Sequence, residues 1–162
     1  MALHPLAPLR DSALWARSFT GRRAGNAYRI WSSFREASRT KEPRIQGLPI
    51  SIAFEPTTAC NLRCPECPSG LRSFTRPTGN LKQDLFTRVI DELATDLWGL
   101  TFYFQGEPYI NPNFLDMVSL ASRKGLYTNT STNAHFLTEE KAEATVRSGL
   151  SRLIISLDGT DQ

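Results

Sequence analysis

The chain after residue 47 alternates short apolar stretches with longer amphipathic ones. Along residues 81–97 the apolar positions recur at i, i+4, i+5, i+8 and i+9, a spacing that only a helix places on one face. Asn80 is predicted to cap this helix. Residues 112–125 and 138–149 predict two further helices, each ended by a glycine. Strands are predicted at residues 50–54, 100–105, 126–132 and 153–157.

The order of these elements is βαβαβαβ, and every connection between strands is long enough to hold a helix. Such crossovers force neighbouring strands to be parallel and their connections to be right-handed. The predicted fold class is therefore α/β, either a sheet or a barrel. The fourth strand is the only one that no helix follows, and such an apolar strand would be an unprotected sheet edge in a finished domain. We therefore expect the chain to be the first half of a longer polypeptide and to be inactive by itself.

Composition is that of an ordinary globular protein of 162 residues. The chain is 40% hydrophobic, enough to bury a core without disulfide bonds, and its net charge of +3 excludes a polyelectrolyte. No stretch approaches the ~20 apolar residues of a membrane-spanning helix, and no secretory signal is recognisable at Met1. We therefore expect a soluble, cytoplasmic protein with no membrane partner.

Positive charge is concentrated in residues 1–47, where nine basic residues outnumber three acidic ones, so that the remainder of the chain carries a net charge of −3. Such a start is either a transit peptide or a solvated helix, and the helix is favoured. Ile30, Trp31 and Phe34 are expected to dock on the main body, with the arginines in water. We predict a basic helical extension at residues 1–47 and the domain at residues 48–162. Nucleic-acid binding is not expected.

The three cysteines of the chain, Cys60, Cys64 and Cys67, lie within eight residues directly after the first predicted strand. An odd number of thiols at such short spacing is a poor disulfide framework and is typical of metal ligation. Three thiolates from one loop supply three corners of a cubane iron–sulfur cluster and leave one iron open. Structural zinc usually takes four ligands with cysteines in Cys-x2-Cys pairs, so a zinc-binding interaction module is the weaker alternative.

The cysteine spacing and three later motifs together resemble the radical S-adenosylmethionine superfamily. Cys-x3-Cys-x2-Cys follows the first predicted strand, and Gly106-Glu107-Pro108 follows the second. Thr132-Asn133 follows the third strand, and Ser156-Leu-Asp158-Gly159 follows the fourth. The run from Glu55 to Gly70 is most similar to the branch with a C-terminal SPASM domain, which includes peptide-modifying maturases. The resemblance implies a partial (β/α) barrel: its first four parallel strands with intervening helices.

The resemblance also implies the cofactors and the residues that hold them. Cys60, Cys64 and Cys67 would ligate a 4Fe-4S cluster, whose open iron binds S-adenosyl-L-methionine. Reductive cleavage of that molecule gives a 5′-deoxyadenosyl radical, which abstracts hydrogen from a substrate that is a peptide or a small molecule. The residues implied in binding S-adenosylmethionine are Gly106, Glu107, Pro108, Thr132, Asn133, Ser156 and Asp158.

Two of these motifs depart from the usual form of the superfamily. Ala134 stands where Thr-Asn-Gly would have its glycine, and Gln105 stands where the second-strand motif would begin with glycine. Thr132 and Asn133 are therefore also compatible with plain turn chemistry, and Ser156 and Asp158 with a turn that ends a strand. The resemblance implies a reductant such as flavodoxin or ferredoxin as a partner. The main alternative is a non-catalytic iron–sulfur electron carrier, which would need no motif beyond the cysteines.

Overall fold

The structure, a computed structural model, describes residues 7–157 and the side chains from residue 9 onward. Two helices, α1 (Ala7–Arg17) and α2 (Gly21–Thr40), precede the sheet. The elements that follow are β1 (Ser51–Ala53), α3 (Pro68–Leu71), α4 (Gln83–Leu93), β2 (Gly99–Thr101), a 3-10 turn (Pro108–Ile110), α5 (Phe114–Arg123), β3 (Tyr127–Thr132), α6 (Glu139–Arg147) and β4 (Arg152–Ile155). Among the described residues, no helix is long and apolar enough to span a bilayer.

The four strands form one parallel sheet in the order β1-β2-β3-β4, as the alternation of strands and helices predicts. Leu100 of β2 lies between Ile52 of β1 and Thr128 of β3. Because the strands are parallel and in sequence order, their carboxyl ends all meet at one edge of the sheet. This α/β architecture, a partial barrel-like sheet behind a helical extension, confirms the predicted fold class.

The core lies between the sheet and helices α4 and α5. Phe86 and Ile90 of α4 and Met117 of α5 are fully buried. The ring of Phe86 meets Phe54 edge-on, with centroids 5.0 Å apart, and it also meets Phe102 at 5.6 Å. Burial of these side chains draws the apolar face of each helix onto the sheet, as the helical spacing predicts.

The N-terminal extension is helical, as predicted, but it docks through a buried arginine. The guanidinium of Arg23 donates to four backbone carbonyl oxygens at 2.7–3.0 Å, those of Ser18, Ala94, Lys124 and Gly125. Three of these carbonyls lie where α4 and α5 end, and the last carbonyls of a helix have no partner within it. A guanidinium suits this position because it carries five donors in a fixed fork.

A second arginine of α2 binds the residues that lead into β2. Arg22 donates to the buried Asp96 carboxylate from Nε and Nη2, with the shortest contact at 2.8 Å. These hydrogen bonds hold the pKa of Asp96 below its ordinary value. Nearby, Trp15 of α1 stacks on Trp98 with ring centroids 4.5 Å apart. The extension therefore contacts the amino edge of the sheet, opposite the edge where the strands end.

The first residue of β3 also contacts the extension. The hydroxyl of Tyr127 donates to Asp11 of α1 at 2.6 Å, and Arg152 at the start of β4 contacts the same carboxylate at 3.4 Å. Burial is the main cause that raises the pKa of Tyr127 to about 12, and the hydrogen bond to Asp11 adds to it. One acidic side chain of α1 thus touches the beginnings of two neighbouring strands.

Two of the three side chains expected to dock α2 are exposed instead, whereas the third, Ile30, is half-buried beside Gly47. Trp31 is 50% exposed and Phe34 is 68% exposed. The buried residues of this helix are Arg23, Asn26 and Ser33. The prediction of an apolar docking stripe with every arginine in water was therefore wrong. The cause is that the ends of α4 and α5, next to the amino edge of the sheet, present carbonyl oxygens that only hydrogen-bond donors can satisfy.

Several predicted boundaries also differ from the observed ones, most clearly those of α4 and β2. Helix α4 begins further along the chain than expected, and Asn80 pairs with Thr57 in an antiparallel bridge rather than capping the helix. Strand β2 ends at Thr101, before the predicted limit of residue 105. The cap of α6 is as predicted, because Thr138 accepts a hydrogen bond from the backbone N–H of Lys141 at 3.3 Å.

Candidate functional site

The motif residues that the structure describes lie at the carboxyl edge of the sheet. The cysteine loop, residues 60–67, follows β1, and Gly106 follows β2. Asn133 follows β3, and Ser156 follows β4. Functional sites of α/β proteins are built at this edge because loops from neighbouring strands converge there. Asp158 lies outside the described residues, so its role stays a prediction.

The turn after β2 is pressed against the chain that leads into the cysteine loop. Gly106 has a φ of +76°, and a Cβ there would collide with the carbonyl oxygen of Thr57 and lie 2.8 Å from that of Ala59. Glycine is required because it has no Cβ and adopts positive φ freely. The backbone N–H of Glu107 donates to the Ala59 carbonyl at 2.8 Å. The second-strand motif therefore holds the start of the cysteine loop.

The carboxylate of Glu107 is buried, with only 2% of the residue exposed. Its Oε1 accepts from the hydroxyl of Thr132 at 2.7 Å and from the backbone N–H of Tyr109 at 3.3 Å. Its Oε2 accepts from the backbone N–H of Asn133 at 2.9 Å. Three donors offset the cost of burying this carboxylate. Burial is also the main reason that the pKa of Tyr109 is raised. The Glu107 side chain thus links the turn after β2 to the turn after β3.

Asn133 lies between the third strand and the cysteine loop. Its Nδ2 donates to Oδ1 of Asn61 at 2.9 Å and lies 4.0 Å from Sγ of Cys60. Ala134, which replaces the glycine of the resembled motif, has a φ of +65°. The turn therefore keeps a left-handed backbone conformation even though an alanine is strained there. His135 is exposed at the surface of this turn.

The cysteine loop is contacted by the short helix α3 as well as by the turn after β2. Cys60 and Cys67 are half-buried, Cys64 is exposed, and all three are free thiols. Gly70 in α3 lies so close to Cys64 that a Cβ would come within 2.5 Å of the Cys64 backbone nitrogen and oxygen. The short helix after the last cysteine therefore packs directly against the middle of the loop.

Ser69 is a residue of this site that sequence reasoning missed, and Gln105 was noted only as a departure from the second-strand motif. Oγ of Ser69 accepts from the backbone N–H of Gly106 at 3.0 Å and donates to Oε1 of Gln105 at 3.3 Å. Sγ of Cys67 lies 3.5 Å from the same Oε1. Gln105 directly precedes the second-strand motif, and Ser69 lies two residues after the last cysteine. A polar side chain next to a motif was the available signal that these residues belong to the site.

Among the described residues, no three Cys, His, Asp or Glu side chains gather closely enough to hold a metal ion as the chain stands. The donor set nevertheless fits an iron–sulfur cluster, because three unbridged thiols lie on one loop and thiolates are the ligands such clusters take. The loop is also fixed from both sides by backbone contacts that glycines allow. The convergence of the three sulfurs on a cluster stays a prediction.

Ser156 is more open to solvent than the motif residues that follow β2 and β3. It is exposed, its backbone N–H donates to the carbonyl of Thr132 at 2.9 Å, and its hydroxyl lies 3.1 Å from that of Ser131. The neighbouring Ile155 is 47% exposed, so β4 is less covered than its apolar sequence predicts. The contacts of Ser156 therefore join it to the end of β3.

An ion pair joins the segment that follows α3 to the residue Glu55, just after β1. The guanidinium of Arg76 contacts both carboxylate oxygens of Glu55, at 2.6 and 2.9 Å, and this hydrogen bonding raises the pKa of Arg76. The same guanidinium lies over the ring of Phe74, 4.9 Å from its centroid. The backbone N–H of Gly79 donates to the hydroxyl of Thr58 at 2.9 Å. The segment thus returns to the start of the cysteine loop.

Comparison with known proteins shows that all four motifs lie within the match to a single protein-family model. Residues 54–162 match the model of the Radical SAM superfamily. The chain is 34% identical over 116 residues to a PqqA peptide cyclase of Rhodopseudomonas palustris, and 33% identical over 122 residues to an AdoMet-dependent heme synthase of Methanosarcina barkeri. These matches cover 71% and 75% of this chain but 30% and 33% of the two relatives. The chain therefore spans about a third of the length of these curated relatives.

Solved structures share the fold. The crystal structure of BtrN in complex with AdoMet and 2-DOIA superposes with a TM-score of 0.62 at 24% identity, over 72% of this chain and 49% of BtrN. The structure of Streptococcus suis SuiB bound to S-adenosylmethionine superposes with a TM-score of 0.51 at 16% identity, over 70% of this chain and 25% of SuiB. At these identities the similarity is one of fold.

Proposed function

Because the chain belongs to the radical SAM superfamily, we propose that its cysteine loop holds a 4Fe-4S cluster and that the carboxyl edge of the sheet binds S-adenosyl-L-methionine. With both bound, the site supplies one-electron cleavage of S-adenosylmethionine to a 5′-deoxyadenosyl radical, which abstracts hydrogen from a substrate. One observation carries the proposal: the turn after β2 binds both the start of the cysteine loop, through the Ala59 carbonyl, and the turn after β3, through Asn133.

Cys60, Cys64 and Cys67 are the proposed cluster ligands. Three thiolates leave one cluster position open, which is the chemistry that binding of a small molecule at the iron requires. Cys60 and Cys67 are half-buried, and their sulfurs lie beside Asn133 and Gln105, which follow β3 and β2. Their partial burial limits the access of water to a bound cluster.

The proposed S-adenosylmethionine site combines main-chain and side-chain groups. The carboxylate of Glu107 is occupied by Thr132, Tyr109 and Asn133, so its side chain orients the turns. The N–H groups of Gly106 and Glu107 are also paired, so the main-chain carbonyl oxygens around Gly106 are the groups proposed to meet the ligand. The residues proposed to line the site are Gly106, Glu107, Pro108, Thr132, Asn133, Ser156 and Asp158.

The domain division follows from the same contacts. Residues 48–162 are proposed to be the N-terminal part of a radical SAM core domain, and residues 1–47 an extension that covers the amino edge of its sheet. Arg23 and Arg22 support this division because they bind the ends of α4 and α5 and the residue Asp96 at that edge. The site at the opposite edge is left free for cofactors and substrate.

A peptide is the proposed substrate class. The support is the similarity to a PqqA peptide cyclase and the fold shared with SuiB, one structure of which is bound to the precursor peptide SuiA. A small molecule is the alternative, since BtrN was solved in complex with AdoMet and 2-DOIA. The proposed electron donor is a flavodoxin or a ferredoxin, in the cytoplasm, where thiols stay reduced.

The contact between the cysteine loop and the turns after β2 and β3 also weighs against the two alternatives. A non-catalytic electron carrier has no need for a substrate-binding edge next to its cluster. A zinc-binding interaction module would need a fourth ligand, and the described neighbours of the cysteines, Asn61, Gln105 and Asn133, are carboxamides.

Anaerobic reconstitution with iron and sulfide tests this proposal. We expect four irons and four sulfides per chain, as the cubane requires, and a change in the electron paramagnetic resonance spectrum of the reduced cluster when S-adenosylmethionine is added. Cys64→Ala should lose the intact cubane because it removes one of the three proposed ligands. Cys64 is an exposed side chain, so its removal leaves the core untouched. The matched control is Ser73→Ala, an exposed position after α3.

A Cys64→Ala protein that retains the full cubane would contradict the ligand assignment. An unchanged spectrum of the wild-type cluster at saturating S-adenosylmethionine would contradict the second half of the proposal. Zinc in place of iron after reconstitution, with no brown chromophore, would favour the interaction module instead.

A further inference from the structure

Two carboxamide side chains lie against two of the three cysteine sulfurs. Nδ2 of Asn133 is 4.0 Å from Sγ of Cys60, and Oε1 of Gln105 is 3.5 Å from Sγ of Cys67. The two carboxamides come from segments that follow different strands, since Gln105 lies after β2 and Asn133 lies after β3. Both therefore reach the cysteine loop from the sheet side.

The orientation of the Asn133 carboxamide is determined at its oxygen end. Oδ1 accepts from the backbone N–H of His135 at 3.1 Å, and an N–H group in its place would meet another donor. The NH2 end therefore faces the cysteine loop. One of its hydrogens goes to Oδ1 of Asn61 at 2.9 Å, and the second is directed to the side where Cys60 lies.

The Gln105 carboxamide is suited to either state of Cys67. In the free thiol, Oε1 of Gln105 accepts from the S–H group and from the hydroxyl of Ser69. A sulfur bound to iron is a thiolate and has no hydrogen to donate. A half-turn of the carboxamide about its last bond exchanges Oε1 for Nε2, and the two ends have nearly the same size. An N–H group then meets the same sulfur, and the Ser69 hydroxyl, which donates to Oε1 in the free-thiol state, has to rotate so that its oxygen accepts from Nε2.

We propose that Gln105 and Asn133 donate N–H hydrogen bonds to the sulfurs of Cys67 and Cys60 in the loaded site and thereby raise the reduction potential of the cluster. This inference rests on the proposed function. The cluster gains one negative charge when it takes one electron from a flavodoxin-type or ferredoxin-type donor. Hydrogen bonds from N–H groups to cluster sulfurs stabilise that more negative state. Gln105 and Asn133 are therefore tuning residues that act through the ligand sulfurs.

The test is an anaerobic redox titration of the reconstituted protein, followed by the electron paramagnetic resonance signal of the reduced cluster. Gln105→Met keeps the length of the side chain without a donor, and Gln105→Glu replaces the donor by a carboxylate. Asn133→Asp keeps the acceptor for His135 and removes the donor. We expect all three midpoint potentials to shift to more negative values, with the largest shift at position 105 in Gln105→Glu. Gln46→Glu, exposed and ahead of β1, is the matched charge control and should leave the midpoint unchanged.

A midpoint in Gln105→Met equal to that of the wild type would overturn the donor role of Gln105, even if the carboxylate variants shift, because charge alone would then account for them. An unshifted Asn133→Asp would overturn the role of Asn133. A folded Gln105→Met protein that takes up no cluster, while Gln46→Glu does, would assign Gln105 to assembly and overturn tuning. Failure of the wild type to take up iron and sulfide is a different result, because it refutes the proposed function itself.

Discussion

Glu107 and Thr132, which follow β2 and end β3, are joined by a buried hydrogen bond of 2.7 Å between the carboxylate and the hydroxyl. The other carboxylate oxygen holds the backbone N–H of Asn133, and Asn133 in turn contacts the cysteine loop through Asn61. The Glu107 side chain therefore fixes the turn after β2 relative to the end of β3 and, through Asn133, relative to the cysteine loop. The geometry of the site depends on this connection because no strand pairing links these turns directly.

Replacement of Glu107 by glutamine should destabilise the chain by about 1–3 kcal/mol. The carboxamide keeps the shape of the side chain, but it presents an NH2 group where either Asn133 or Thr132 needs an acceptor. The free energy of unfolding in urea measures the effect. The control is Glu143→Gln in the exposed pair with Arg147, for which a change within about 0.5 kcal/mol is expected. Equal effects at the two positions would mean that the buried carboxylate has no special structural role.

Gly106→Ala and Gly125→Ala separate backbone strain from collision. Both glycines have positive φ, +76° and +69°, so each alanine should cost about 1–2 kcal/mol from conformation alone. A Cβ at Gly125 meets open space, whereas one at Gly106 collides with the Thr57 carbonyl. We expect Gly106→Ala to be the more destabilising of the two in thermal unfolding. It should also loosen the cysteine loop, which limited proteolysis near residues 60–67 would detect.

Arg23→Met should be strongly destabilising, by about 2–4 kcal/mol, because it leaves four carbonyl oxygens without their donor. Arg39→Met, at an exposed position of the same helix, is the matched control and should change the unfolding free energy by no more than about 0.5 kcal/mol. Urea denaturation of both variants measures the difference. Similar values for the two arginines would show that the extension does not depend on its buried guanidinium.

Alkaline pH should weaken the contact between α1 and β3. The pKa of Tyr127 is raised to about 12, so its neutral hydroxyl is favoured in the folded chain. The corresponding stability is fully present below the ordinary tyrosine value of about 10 and is lost as pH rises through about 12. We expect a loss of about 1 kcal/mol over this interval, since partial exposure to solvent screens the interaction. Tyr127→Phe should remove this part of the pH dependence of unfolding, whereas Tyr28→Phe, an exposed site, should retain it.

The periodicity of apolar residues was sufficient to predict the parallel sheet, its helices and the edge at which the motifs lie. Phe86 and Ile90 illustrate why: their spacing is a local property of the chain, and a helix is the conformation that buries both on one side. The spacing of Cys60, Cys64 and Cys67 is equally local, and so the cysteine loop and the superfamily could be recognised without coordinates.

Contacts between distant residues were decided only in the tertiary structure. Arg23 is separated by 102 residues from Gly125, and Cys67 by 38 residues from Gln105. Nothing in the pattern around Arg23 distinguishes it from the exposed Arg39, because the difference is the set of unpaired carbonyl oxygens that packing of α2 against the sheet brings to one of them. Residue type and spacing thus specify which groups are available, whereas desolvation in the folded chain selects the groups that must be paired.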